Sequence, residues 1–144
     1  MGWQVLHFYH LIANINLIID NQGAPGIYLP EHVEGWKKVT DSVHSKGCKM
    51  FCQLWHMGRV AHSEFHGLQP ISASAIKADG ETQVYGGKKP YEIPRAVEVN
   101  EIPTILEEFK NAAQCAKDAG FDGIEIHGIN IIIIIIIIII NIYY

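Results

Sequence analysis

Residues 121–130, FDGIEIHGIN, set the tightest limit on what this chain can fold into. Asp122 and Gly123 read as a turn, and Ile124 and Ile126 follow at the two-residue spacing of a strand. Glu125 and His127 fall on the other face, and the strand ends in two polar residues, His127 and Asn130. A helical pattern closing at Gly120 comes just before. The unit is therefore helix, turn, buried strand, with its polar groups at the carboxyl end, where α/β barrels place their chemistry. The pattern alone equally admits an ordinary strand whose histidine is exposed.

Upstream the same rhythm is already present. Pro30 suits a first helical turn, and Val33, Trp36, Val39 and Val43 recur at helical spacing. Gly47 stands where a left-handed cap is wanted, so a helix is predicted over residues 31–46. A strand is predicted over residues 49–56, KMFCQLWH, with Phe51, Gln53 and Trp55 on one face and Met50, Cys52, Leu54 and His56 on the other. A glutamine inside an apolar strand needs hydrogen-bond partners or costs about 1–3 kcal/mol; it is either a satisfied core amide or a contact for a flat polar ligand. Residues 58–93 read as a long irregular loop punctuated by glycine and proline, of the kind that covers a site. His56, His62 and His66, in or before it, are expected to be exposed, and Arg59 either binds an anion or is solvated. A second helix is predicted over residues 101–119, with Ile102, Ile105, Leu106, Phe109, Ala113 and Ala116 as its apolar stripe. Residues 21–30, NQGAPGIYLP, form a turn-rich connection, while residues 1–20 fit a strand or a buried helix equally well. Strand, loop, helix and strand in this order predict an α/β fold with a parallel sheet and crossover helices.

The composition fits a globular domain: 49% of residues are hydrophobic, and the net charge of −4 with no basic cluster argues against a nucleic-acid surface. Cys48, Cys52 and Cys115 are odd in number and form no CxxC pair, which fits buried thiols in a reducing compartment and no metal site. The ten isoleucines at 131–140 are too few to span a bilayer, for which about 20 apolar residues are needed. Uncharged, β-branched and free of proline, they are expected to drive aggregation. Ile, Asn and Tyr all have codons made of A and T alone, so the tail reads as translation of an A/T repeat beyond an interrupted gene.

Two separated stretches, GCKMFCQLWHMGRV and AGFDGIEIHGIN, together resemble the third and fourth strand regions of the Old Yellow Enzyme family, more narrowly its plant 12-oxophytodienoate reductases. APGIYLPEHVEGWKKVTDSVHSKG and VNEIPTILEEFKNAAQCAKDAG resemble the same family, with order and spacing intact. The resemblance implies a partial TIM (β/α)8 barrel of two to three strand–helix units. It divides the chain into an unmatched segment at 1–20, the partial barrel at 21–130 and the low-complexity tail at 131–144.

The resemblance also implies FMN as cofactor, NADPH as reductant and an enone as small-molecule substrate, in oxylipin or jasmonate-type metabolism. Gln53 matches the glutamine that contacts the flavin ring. His127 and Asn130 match the pair that hydrogen-bonds the substrate carbonyl oxygen, and Trp55 lies where the family has a residue near the substrate pocket. Ile132 stands where the family has its proton-donating tyrosine, and Ile18, Ile19 and Asp20 replace a glycine-containing flavin-binding segment. No residue of this chain is therefore assigned a catalytic role. The expectation is an ene-reductase lineage in an incomplete, inactive chain; the alternatives are a non-catalytic truncated remnant or mispredicted gene product, and a small module binding through its histidine-rich loop. With no peroxisomal tripeptide at the end of the chain, cytoplasm is the default compartment.

Overall fold

A computed structural model describes residues 8–14 and 25–128. In chain order these give β1 (Phe8–Asn14), α1 (Pro30–His44), β2 (Lys49–Trp55), α2 (Ser63–His66), β3 (Ile71–Ser72), β4 (Glu81–Val84), β5 (Gly87–Pro90), β6 (Arg95–Ala96), α3 (Ile102–Asp118) and β7 (Gly123–Ile126). Asn130 and the isoleucine run lie outside the described residues, as does most of the segment at 1–20. Within that segment the choice between helix and strand is settled for Phe8–Asn14, which is a strand.

β1, β2 and β7 form one sheet in the order β1-β2-β7, and both pairings are parallel. Parallel neighbours need crossovers, and α1 and α3 supply them, as the sequence rhythm predicts. Met50, Cys52 and Leu54 of β2 are buried with Val33 of α1 and with Ile105, Phe109, Ala112 and Ala116 of α3. Both helices therefore cover the same face of the sheet. Burying a side chain the size of Leu54 stabilises the fold by about 1.5–3 kcal/mol.

α1 begins at Pro30, and the His32 ring nitrogen Nδ1 accepts from the backbone N–H groups of Tyr28 and Leu29, at 3.3 Å each. Val33, Trp36 and Val43 of the expected stripe pack on the core, and only Val39 departs from it. Val39 is 39% exposed, whereas Thr40 is buried and donates through Oγ1 to the Ala119 carbonyl at 2.6 Å. That bond ties α1 to the end of α3 and lets a hydroxyl occupy a core position. The turn-rich connection also contributes to the core, because Ile27 is fully buried and Trp36 Nε1 donates to the Gly26 carbonyl at 2.9 Å. Gly47 and Gly120 both have positive φ, 73° and 84°, and close their helices as glycine can at little steric cost.

The segment expected to be an irregular loop holds short regular elements. β4 and β5 are an antiparallel hairpin across the turn Tyr85–Gly86, and β3 pairs with β6 in parallel. Four-residue strands joined by a two-residue connection leave too short an alternation to read in a sequence rich in glycine and lysine. The hairpin is fastened to α2 by the Lys89–Glu64 ion pair and by an edge-on contact of Phe65 with Tyr85. Ser63 donates to Glu92 through both its backbone N–H (2.6 Å) and its hydroxyl (2.8 Å).

β7 differs from the expected buried strand. Ile124 is 36% exposed and Glu125 is exposed as well. Among the described residues β7 pairs only with β2, so only one of its edges is covered.

Candidate functional site

The site follows from the register of β2 with β7. Phe51 pairs with Gly123, Gln53 with Glu125 and Leu54 with Ile126. Since Met50, Cys52 and Leu54 face the helices, Phe51, Gln53 and Trp55 face the other way, as the alternation predicts. Gly123, Glu125 and His127 lie on that same face. The result is a ladder of three cross-strand pairs: Phe51 over Gly123, Gln53 beside Glu125, and Trp55 beside His127.

The lowest rung is tight. A Cβ at position 123 would lie 2.5 Å from the Phe51 ring, so only glycine lets the two strands approach as they do. On the middle rung, Gln53 is buried and its Nε2 donates to Glu125 Oε1 at 2.9 Å. The glutamine thus has the partner that its place in the strand demands. Glu125 has no role in the sequence reading. The only available signal was its position two residues before His127 on one strand face; its partner lies 72 residues away in the chain.

The top rung pairs two aromatic rings. Trp55 and His127 stand with ring centroids 5.5 Å apart and planes tilted by 51°, and the His127 backbone N–H donates to the Leu54 carbonyl at 2.9 Å. Trp55 Nε1 and His127 Nδ1 are both buried and have no hydrogen-bond partner among the described residues. An indole N–H only donates, whereas an imidazole nitrogen donates or accepts according to its tautomer. Two rings carrying such atoms, adjacent at the carboxyl ends of parallel strands, offer hydrogen-bonding groups that a ligand oxygen could meet. Of the four residues singled out in the sequence, the structure brings together Gln53, Trp55 and His127; Asn130 lies outside the described residues.

His56 and His62 are not the exposed groups the sequence led one to expect, and the side chain of His66 lies outside the described residues. His56 is 6% exposed, its Nδ1 accepts from the Gly58 N–H at 3.0 Å, and burial pushes its pKa down to about 4. His62 is also buried, and its Nδ1 accepts from the Glu64 N–H at 3.2 Å, capping α2. Both rings satisfy tight backbone turns, a demand set by the fold and not by local composition. Cys52 is buried against the helices, which drives its thiol pKa up to about 12 and leaves it unreactive, while Cys48 and Cys115 are half-buried. Among the described residues no group of three or more His, Cys, Asp or Glu side chains is placed to hold a metal ion.

The opposite end of the sheet is held by Asp122. Its carboxylate accepts from Lys49 Nζ at 2.6 Å, His44 Nε2 at 2.7 Å and the Met50 N–H at 2.9 Å. Burial raises its pKa, but the bonds from Lys49, Met50 and His44 together outweigh that and hold the group well below the usual carboxylate range. Charge is therefore fixed at the amino end of the strands, and the buried Trp55 and His127 nitrogens lie at the carboxyl end.

Helices on one face of a parallel sheet, with polar side chains gathered on the other, define a segment of a (β/α)8-barrel enzyme. The sequence profile described as NADH:flavin oxidoreductase / NADH oxidase family matches residues 18–134, and the chain belongs to that family. It is 45% identical over 109 residues to 12-oxophytodienoate reductase 7 of Oryza sativa subsp. japonica, covering 72% of this chain and 28% of the rice protein. Among solved structures, the Old Yellow Enzyme homologue from Zymomonas mobilis superposes with a TM-score of 0.78 at 42% identity, covering 81% of this chain and 33% of that one. Morphinone reductase, solved in complex with tetrahydroNAD, superposes with a TM-score of 0.75 at 40% identity, covering 83% of this chain and 36% of its own. The chain spans between 27% and 34% of the length of the plant reductases it matches. No helix among the described residues is long and apolar enough to cross a membrane.

The family implies FMN with a nicotinamide reductant, and the ladder fits part of that requirement. It offers a buried amide and two partnerless nitrogens on one face, a donor set suited to a flat, oxygen-rich ring and a carbonyl beside it.

Proposed function

We propose that this chain is the flavin-facing and carbonyl-gripping portion of an NADPH-dependent, FMN-containing ene-reductase of the 12-oxophytodienoate type, and that these 144 residues alone do not turn over. The observation that carries the reading is the pair of buried nitrogens without partners, Trp55 Nε1 and His127 Nδ1. Leaving a buried polar group unpaired costs about 1–3 kcal/mol, a cost relieved when a ligand supplies the missing bond.

In this reading Gln53 meets the flavin ring, and His127 donates to the carbonyl oxygen of an α,β-unsaturated substrate. Asn130 adds the second donor, and Trp55 walls the pocket. Bound against Gln53, an FMN reduced by NADPH would supply hydride for the β-carbon. Negative charge then gathers on the carbonyl oxygen, and donors already aimed at it stabilise that charge without reorganising. The α-carbon still needs a proton, and Ile132, at the position of the family's tyrosine, has none to give. That residue supports a non-catalytic descendant of the lineage over a working enzyme.

The test adds 2-cyclohexenone to the purified full chain, with and without FMN, and follows the His127 ring protons by NMR and NADPH consumption by absorbance. The expected result is a saturable shift of the His127 signals, weakened in Trp55→Phe, and no NADPH consumption. His127 signals that ignore the enone in both conditions would overturn the carbonyl grip, and sustained turnover would overturn the inactive reading.

A further inference from the structure

Glu125 lies on the ladder between the rung that packs and the rung that binds, and its carboxylate meets the Gln53 amide at 2.9 Å. A carboxylate oxygen only accepts, so the side of the amide that faces Glu125 must be its NH2 group. In most proteins the two ends of a glutamine amide exchange places at little cost. Here the exchange would set the Gln53 carbonyl oxygen against a negatively charged oxygen in a part-buried position, and the charge-assisted bond would be lost. The Gln53 carbonyl oxygen is thereby directed away from Glu125, and one amide hydrogen remains for a further partner.

We propose that Glu125 is a positioning residue, which locks the Gln53 amide so that it offers its oxygen as acceptor and its second N–H as donor, in one fixed order, to an imide edge of the bound ring. The proposal rests on the reading of Gln53 as the flavin-facing amide. The pyrimidine part of a flavin carries such an edge, an N–H flanked by two carbonyls. An amide held in one orientation matches one donor–acceptor order along that edge, and an amide free to flip matches both. Glu125 thus supplies selectivity for the unsubstituted imide without touching the ring itself.

The experiment has two parts, both on the full chain. The first follows the Gln53 side-chain 15N–1H signals in the absence of any ligand, in the parent chain and in Glu125→Ala. A locked amide gives two well-separated proton signals with slowed exchange against solvent, and Glu125→Ala brings both to the values of a free glutamine. The second compares FMN with N3-methyl-FMN, whose imide hydrogen is blocked. The parent chain should prefer FMN by about tenfold, the value of one discriminating hydrogen bond, and Glu125→Ala should reduce that preference to about twofold or less. Should Glu125→Ala not fold, the isosteric Glu125→Gln tests the same point, since an amide partner accepts either orientation and also removes the preference. A purely structural glutamate would lower thermal stability and leave both the flavin preference and the Gln53 signals of the folded variant unchanged; that pattern overturns the proposal. A chain that holds neither flavin, with Gln53 signals still dependent on Glu125, would refute the flavin-facing role of Gln53 while the lock itself stood.

Discussion

The two faces of β2 are built to opposite specifications within seven residues. On the helix side, Met50, Cys52 and Leu54 are packed into a dry cluster whose stability comes from burial and shape. On the other side, Gln53 is tied to a carboxylate, and Trp55 and its neighbour His127 keep buried nitrogens without partners. One face settles its interactions within the protein; the other keeps two buried nitrogens without partners among the described residues. Stability and function are thus divided by the pleat of a single strand, and substitutions on the two faces should separate cleanly.

The largest effect is expected on the helix side. Leu54→Ala removes a fully buried side chain and should destabilise the chain by about 2–5 kcal/mol, measured by urea denaturation. A loss below about 1 kcal/mol would show that the cluster collapses around the gap.

Next in size is an acid effect centred on His56. Its folded-state pKa of about 4 lies below the ordinary value of 6.5, so the unfolded chain takes up the proton first. Stability is then fully present above about pH 6.5 and falls as the pH drops towards 4, by about 3 kcal/mol in total. Denaturation midpoints across that window should flatten in His56→Gln. Asp122 acts lower on the scale. Its pKa is depressed, so its contribution is present above the ordinary carboxylate value of about 3.9 and is lost as the pH falls below it.

Thr40→Val should cost about 1–3 kcal/mol, because it keeps the shape but leaves the Ala119 carbonyl without its buried donor. The smallest effect belongs to the ligand face. Gln53→Met should change stability by less than about 1 kcal/mol, since Glu125 can turn to water, while abolishing flavin affinity in a fluorescence titration. Equal stability losses for Gln53→Met and Leu54→Ala would erase the distinction between the faces.

Much of this architecture can be read from the chain, and what cannot has physical reasons. α1, β2, α3 and β7 each announce themselves through period and punctuation, and the bounds of α1, β2 and α3 shift by at most two residues. Val39 and Thr40 exchange their expected roles because a hydroxyl with a distant carbonyl partner can be buried, and that partner is 79 residues away. The same reasoning applies to His56 and His62, which composition marks as surface groups until the turns they satisfy are known. Gln53, Trp55 and His127 were legible as a set through the family resemblance. Glu125 was not, because its significance lies in strand register, a relation that no local pattern records. The hairpin β4–β5 was hidden by strands too short to show alternation.

The contact of Gly123 with the Phe51 ring has a bearing on how such a scaffold can diversify. A substitution there would force the Phe51 ring out of its place beneath Gln53 and Trp55, so position 123 is less free to change than the residues above it. Laboratory selections for new substrates should accordingly accumulate replacements around Trp55 and leave position 123 untouched.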